Sequence, residues 1–194
     1  MSTFEFISRK ARSASVIIFT ICLLLSSPVW AEKAGIADIM LNTTKDDLLV
    51  HFKVTNCFTE EMEKAIKNGI NTTFTFFIEL YEVIDFQLDK KIADLNVSHD
   101  IKYDNLKKTY TVTLSEKNKK PILVKDFDEA KKLMSKIAGL KVIELSNLQK
   151  GKRYQISMMA ELEKIELPLY LHYIFFFLSL WDFETSWYAV DFRY

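Results

Sequence analysis

Cysteine is almost missing from this chain. Cys22 and Cys57 are its only two cysteines in 194 residues, which excludes a disulfide-stapled scaffold. Histidine is as scarce: His51, His99 and His172 lie far apart in the sequence. Two cysteines far apart and scattered histidines do not supply the spaced N and S ligands of a zinc site. No C-x-x-C, H-E-x-x-H, G-x-S-x-G or glycine-rich phosphate loop occurs, so no metal site is expected, no cofactor is expected, and no motif of nucleophilic or nucleotide chemistry is met. Charge of one sign is also lacking, with 26 basic residues against 26 acidic. A nucleic-acid binder shows a basic face; no basic stripe appears here, and no nucleic-acid partner is expected. Four glycines and three prolines leave no low-complexity linker. The glycines, Gly35, Gly69, Gly139 and Gly151, are expected at element boundaries.

What the chain does have begins with an apolar run. Arg9, Lys10 and Arg12 precede Val16 to Leu25, and Ser26-Ser27-Pro28-Val29-Trp30-Ala31 follows. A basic head, a short apolar middle and small residues before a break make a secretory signal peptide, with cleavage expected after Ala31. Ten apolar residues fall short of the about 20 that span a bilayer. Residues 1–31 are therefore read as a cleaved leader and 32–194 as a single domain. The expected location is the periplasm. After cleavage 23 basic residues face 25 acidic ones and Cys57 is the one thiol left; it reads as a buried small hydrophobe rather than a reactive group. The sequons at Asn42, Asn71 and Asn96 would carry glycans only in a eukaryotic secretory pathway.

The strongest structural stretch is Ile70 to Phe86. Phe74, Phe76, Ile78 and Leu80 alternate with Thr73, Thr75, Phe77 and Glu79. Period two with β-branched and aromatic residues predicts a strand, here the central one. Before it, Ala37 to Leu41 and Leu48 to Val54 alternate about the polar turn 42–46, which predicts a hairpin with His51 outward. Thr59 caps a short helix with Glu60 and Glu61 in its first turn, Lys64 and Lys67 in its last, and Asn68-Gly69 as its stop. Met62, Ala65 and Ile66 form its apolar stripe.

After the central strand, Leu95, Val97, Ile101 and Tyr103 share one parity. His99 falls among them, and a hydrogen-bonded core or rim histidine is the expected reading. Tyr110, Val112 and Leu114 predict a further strand. Asp126 and Glu129 have capping-box spacing, and Phe127, Ala130, Leu133, Met134 and Ile137 predict a helix that stops at Gly139. Leu140 to Leu145 is expected to be extended. The run L-x-x-G-x-x-Y-x-I-x-M-x-A at 148–160 resembles the start of strand F in fibronectin-type sandwiches, where a tyrosine hydroxyl bonds upstream backbone. Tyr154, with Gly151 before it, is expected to be that tyrosine corner. The fold expected from these elements is mainly β: an immunoglobulin or fibronectin-like β-sandwich with two short helices on its connections.

The C-terminal region is the candidate for function. As a helix, Leu167 to Trp181 would be about 22 Å long, too short for about 30 Å of hydrocarbon. It reads as a buried loop and strand, as an apolar patch for a partner, or as a peripheral contact with a membrane surface. Tyr188, Val190, Phe192 and Tyr194 alternate in a last strand. Aromatic residues dominate interfaces, so Tyr170, His172, Trp181, Asp182 and Trp187 are the candidate binding residues. Asp182 and Glu184, two apart beside aromatic residues, are the candidate acid–base pair if the protein is an enzyme.

The chain also resembles a known family. The residues A-D-I at 37–39, F-T-E-E-M with A-I-K-N-G-I at 58–70, T-F-T-F at 73–76 and Y-D at 103–104 carry the likeness. So do L-x-x-G-x-x-Y at 148–154 and L-W-D-F-E-T-S-W at 180–187. Together they are similar to an uncharacterised family of exported bacterial proteins, domain of unknown function 4390. The resemblance implies a Gram-negative envelope protein and supplies no catalytic residues. The leading expectation is a non-catalytic interaction module whose partner is an envelope or membrane protein. A small hydrolase using the C-terminal carboxylates and a carrier of an apolar ligand are the alternatives.

Overall fold

The computed structural model describes residues 33–163 and 184–194. The expected leader, 1–31, lies outside them, as does the stretch from Leu167 to Trp181. Among the described residues the chain runs β1 (Gly35–Thr43), β2 (Asp47–Thr55), α1 (Glu60–Lys67), β3 (Thr72–Glu82), β4 (Lys90–Asp104) and β5 (Thr109–Leu114). It continues through β6 (Pro121–Val124), α2 (Phe127–Met134), β7 (Lys136–Glu144), β8 (Arg153–Leu162) and β9 (Tyr188–Arg193). The strands form two antiparallel sheets, β1-β2-β7 and β6-β5-β4-β3-β8-β9. The protein is a mainly β sandwich with two short helices.

Alternation builds its core. Phe74, Phe76, Ile78 and Leu80 on β3 are fully buried, each worth about 1.5–3 kcal/mol before entropy. The same parity of β2 supplies Leu48, Val50, Phe52 and Val54. The two faces meet where the rings of Phe52 and Phe76 pack edge to face, 6.0 Å apart. α1 closes one flank of this core with Met62, Ala65 and Ile66 buried, and the Thr59 hydroxyl accepts from the Met62 N–H at 3.2 Å.

The tyrosine corner is present. Tyr154 is buried, and its hydroxyl accepts from the backbone N–H of Gln149 at 2.8 Å. Its ring stacks on Phe192 of β9 at 5.6 Å. Gly151, at φ +82°, donates its N–H to the Tyr194 carbonyl, so the turn before β8 also fastens the end of β9.

The second helix is shorter than its stripe predicts. It ends at Met134, with Ser135 as its cap, and the chain turns directly into β7. Ser135 closes the helix twice, its N–H and hydroxyl both donating to the Lys131 carbonyl, while its own carbonyl accepts from Val54 N–H of β2 at 2.8 Å. Ile137 therefore belongs to a strand. Gly139 is not a boundary glycine. It sits inside β7 at φ +72°, and the pairing with β2 steps from His51↔Ala138 to Val50↔Leu140 across it. One extra residue in the left-handed region is a β-bulge, a place that glycine fills without strain.

Candidate binding surface at the open side of the sandwich

β1 and β9 are edge strands, one in each sheet. Between them lies a cleft of about 380 Å³. Ile36, Ile39 and Leu41 line it from β1, and Tyr188 and Val190 from β9. Local sequence sets both walls. On β1 a bulge between Ala37 and Met40, with Asp38 at φ +53°, resets the alternation so that Ile36, Ile39 and Leu41 are half-buried while Asp38 and Met40 face solvent. Lys53 of β2 pairs with Asp38 at 2.7 Å. On β9 the expected alternation holds, with Val190, Phe192 and Tyr194 packed against the core and Ala189, Asp191 and Arg193 exposed.

The chain reaches β9 through a fixed point that the sequence did not signal. Thr185 is buried, its N–H donates to the Ala160 carbonyl at 2.9 Å, and its hydroxyl accepts from the Ala160 N–H at 3.0 Å. Beyond that clamp Trp187 and Tyr188 are 47% and 49% exposed, and Tyr188 lines the cleft while Trp187 stands next to it in sequence, outside the lining. Two adjacent aromatic residues half in water, one of them on the wall of the cleft, suit contact with another molecule.

Of the candidate binding residues, Trp187 is described: it is exposed beside Tyr188 and is not part of the cleft lining. Tyr170, His172, Trp181 and Asp182 lie outside the described residues. Glu184, the described half of the acid–base pair, is exposed and bridges Glu161 of β8. It lines neither this cleft nor a second one of about 310 Å³ over Arg153, Asp191 and Arg193. Tyr188 and the β1 residues of the cleft were not among the sequence candidates. Their alternation was visible, but only the meeting of two edges far apart in sequence makes them a surface.

Other candidates resolve as structure. Cys57 is buried, donates from Sγ to the Val54 carbonyl, and burial pushes its thiol up to about 12. His99 is fully buried, with Nδ1 3.0 Å from the Met134 carbonyl and Nε2 3.2 Å from both oxygens of Glu116. His51, opposite the Gly139 bulge, is half-buried on the outward face of β2. Among the described residues no three His, Cys, Asp or Glu side chains gather as metal ligands would, and no helix is long and apolar enough to cross a membrane.

No curated protein and no solved structure matches the chain. The family model of the domain of unknown function DUF4390 matches residues 31–191, and the chain belongs to that family.

Proposed function

We propose that the protein is an exported envelope protein of a Gram-negative bacterium, located in the periplasm, and that it acts there as a non-catalytic interaction module for an envelope or membrane protein. The observation that carries this reading is the exposed adjacent pair Trp187 and Tyr188, the second of which lines the β1–β9 cleft. Trp and Tyr bring large rigid contact area with little entropy to lose, which is why they anchor interfaces. The basic head, apolar run and small residues ending at Ala31 support export.

The test is a photo-crosslinking amino acid placed at Trp187 in cells that express the full chain. A probe at Leu106, 96% exposed on the β4–β5 turn, serves as the control. A discrete adduct from position 187 that is absent from position 106, and weakened by Tyr188→Ala, is the expected result. Equal labelling from both positions would remove this surface as the binding site. Export is checked on the same cells: the mature mass should begin at Glu32 and appear in the periplasmic fraction.

A second reading, a carrier of an apolar ligand, is favoured by the volume of the same cleft, which falls in the range of small-molecule sites. It predicts that a fluorescent fatty acid binds stoichiometrically and that Leu41→Asp abolishes binding. Absence of saturable binding would dismiss it.

A further inference from the structure

Among the described residues the two sheets end in four edge strands: β1, β7, β6 and β9. An unpaired edge invites another strand, and proteins guard against this with bulges, prolines, lysines and short length. Three of the four edges carry such guards. β1 is broken by the bulge at Asp38. β7 has register shifts on both sides of Leu140–Lys141 and carries Lys136 and Lys141. β6 is four residues long and starts with Pro121. Among the described residues β9 has no proline, lysine or bulge: it runs six residues in unbroken register with β8, and its edge charges, Asp191 and Arg193, are of opposite sign.

The free side of β9 can be assigned. Tyr194 turns its N–H and C=O toward β8, bonding Lys152 and Gly151. Backbone groups alternate sides along a strand, so those of Ala189, Asp191 and Arg193 point to the open edge. The exposed side chains of these same residues carry a charge pattern. Arg193 stands directly across from Arg153. The Arg153 guanidinium is already bonded to Asp85, and no ion pair to Arg193 occurs among the described residues. Two residues before it, Asp191 is held at the surface by the Gln155 amide at 2.9 Å.

We infer that β9 pairs antiparallel with β9 of a second copy of this chain, in the register centred on Phe192. A two-fold axis there sets Asp191 opposite Arg193 of the second copy, and Arg193 opposite its Asp191. Both are outward-facing backbone positions, so each of the two pairs exchanges two backbone hydrogen bonds and one ion pair. The two Phe192 rings fall side by side on the apolar face, over the rings of Tyr154. Moving the axis by one residue to Asp191, a slide of two residues, puts Asp191 against Asp191, a like-charge pair that costs stability. The pairing uses residues 190–194 and leaves Trp187 and Tyr188 uncovered, so it goes beyond the binding role proposed above and does not compete with it.

The experiment is analytical ultracentrifugation of the protein purified after expression of the full chain, with charge reversals at Asp191 and Arg193. Wild type should reach twice the monomer mass at about 100 μM, the range of weak interfaces. Asp191→Arg and Arg193→Asp each turn both ion pairs into repulsions, and each should weaken association roughly tenfold or more. The double reversal Asp191→Arg/Arg193→Asp should restore it. The two single variants mixed together should form a heterodimer, because each then carries the charges the other needs. Both side chains are exposed, and unchanged melting of the dilute monomers confirms folding. A wild type that stays monomeric, including one that captures a foreign extended peptide instead, overturns the inference. So does a dimer indifferent to the charge reversals.

Discussion

The imidazole of His99 bridges two parts of the fold that the chain reaches separately. Nδ1 lies 3.0 Å from the Met134 carbonyl, and Nε2 lies 3.2 Å from the Glu116 carboxylate. A carbonyl only accepts, so Nδ1 carries a hydrogen. Met134 is the last residue of α2, and its carbonyl is one that a helix end leaves without an internal partner. Glu116 sits in the 3-10 turn after β5. One buried side chain of β4 thereby ties the helix end to the sheet and to the turn after β5.

This bridge has a pH signature. Burial acts to raise the Glu116 carboxyl, but the hydrogen bond and charge of His99 outweigh it and hold the carboxyl below its ordinary value of 4.5. A carboxyl with its folded pKa depressed stabilises the native state fully above the unfolded value, and that stabilisation is lost as pH falls through the folded one. Glu116→Gln should lower stability by about 1.5–3 kcal/mol at neutral pH, as for bonds to charged groups. The gap between parent and variant should close progressively below pH 4.5. Urea unfolding at neutral and acid pH measures both; a gap independent of pH would show that the charge is not what stabilises.

Tyr154→Phe keeps the ring against Phe192 and deletes the hydroxyl, so the Gln149 N–H loses its acceptor. The expected cost is about 1–2 kcal/mol, or roughly 2–8 °C in the melting temperature for a domain of this size. Calorimetry of parent and variant decides it. Equal melting would mean that solvent replaces the corner bond.

Gly139→Ala tests the bulge. A Cβ there would meet the His51 ring at 3.5 Å, an ordinary contact, so space is not the obstacle. The obstacle is φ +72°, which should cost an alanine about 1–2 kcal/mol. Adding His51→Ala should recover none of that loss in denaturant unfolding, whereas recovery would make the effect a clash.

Cys57 should resist thiol reagents while the protein is folded, because burial pushes its pKa to about 12 and the thiolate is the reacting form. With Cys22 replaced by serine, labelling by a chromogenic disulfide at mildly alkaline pH should be negligible in buffer and complete in guanidinium. Fast labelling of the native state would contradict the buried site.

Several of these features are legible in the sequence. Phe74, Phe76, Ile78 and Leu80 announce a strand buried on one face, and each is fully buried. Thr59 and Asp126 announce the two helix starts; the Thr59 hydroxyl accepts from Met62 N–H as expected, while Asp126 accepts from Asp128 N–H and not from Glu129, the partner its capping-box spacing predicts. Tyr154 announces the corner. The stop of α2 was misplaced, because Ile137 continues a helical stripe as well as it opens a strand. A bond from Val54 to the Ser135 carbonyl, more than eighty residues apart in sequence, ends the ambiguity.

The sequence alone determined which side chains face inward, because the periods of helix and strand are local properties of the backbone. It also determined the class of the fold, since alternating strands with a buried face must pair sheet against sheet. Tertiary structure alone decided that β7 joins β2 and that β9 closes on β8. It alone made a buried bridge of His99 and Glu116, and it alone brought Ile36, Ile39 and Leu41 across from Tyr188 and Val190. Pairing partners, bulges and clefts depend on contacts between distant segments, and no local pattern encodes which distant segment will be there.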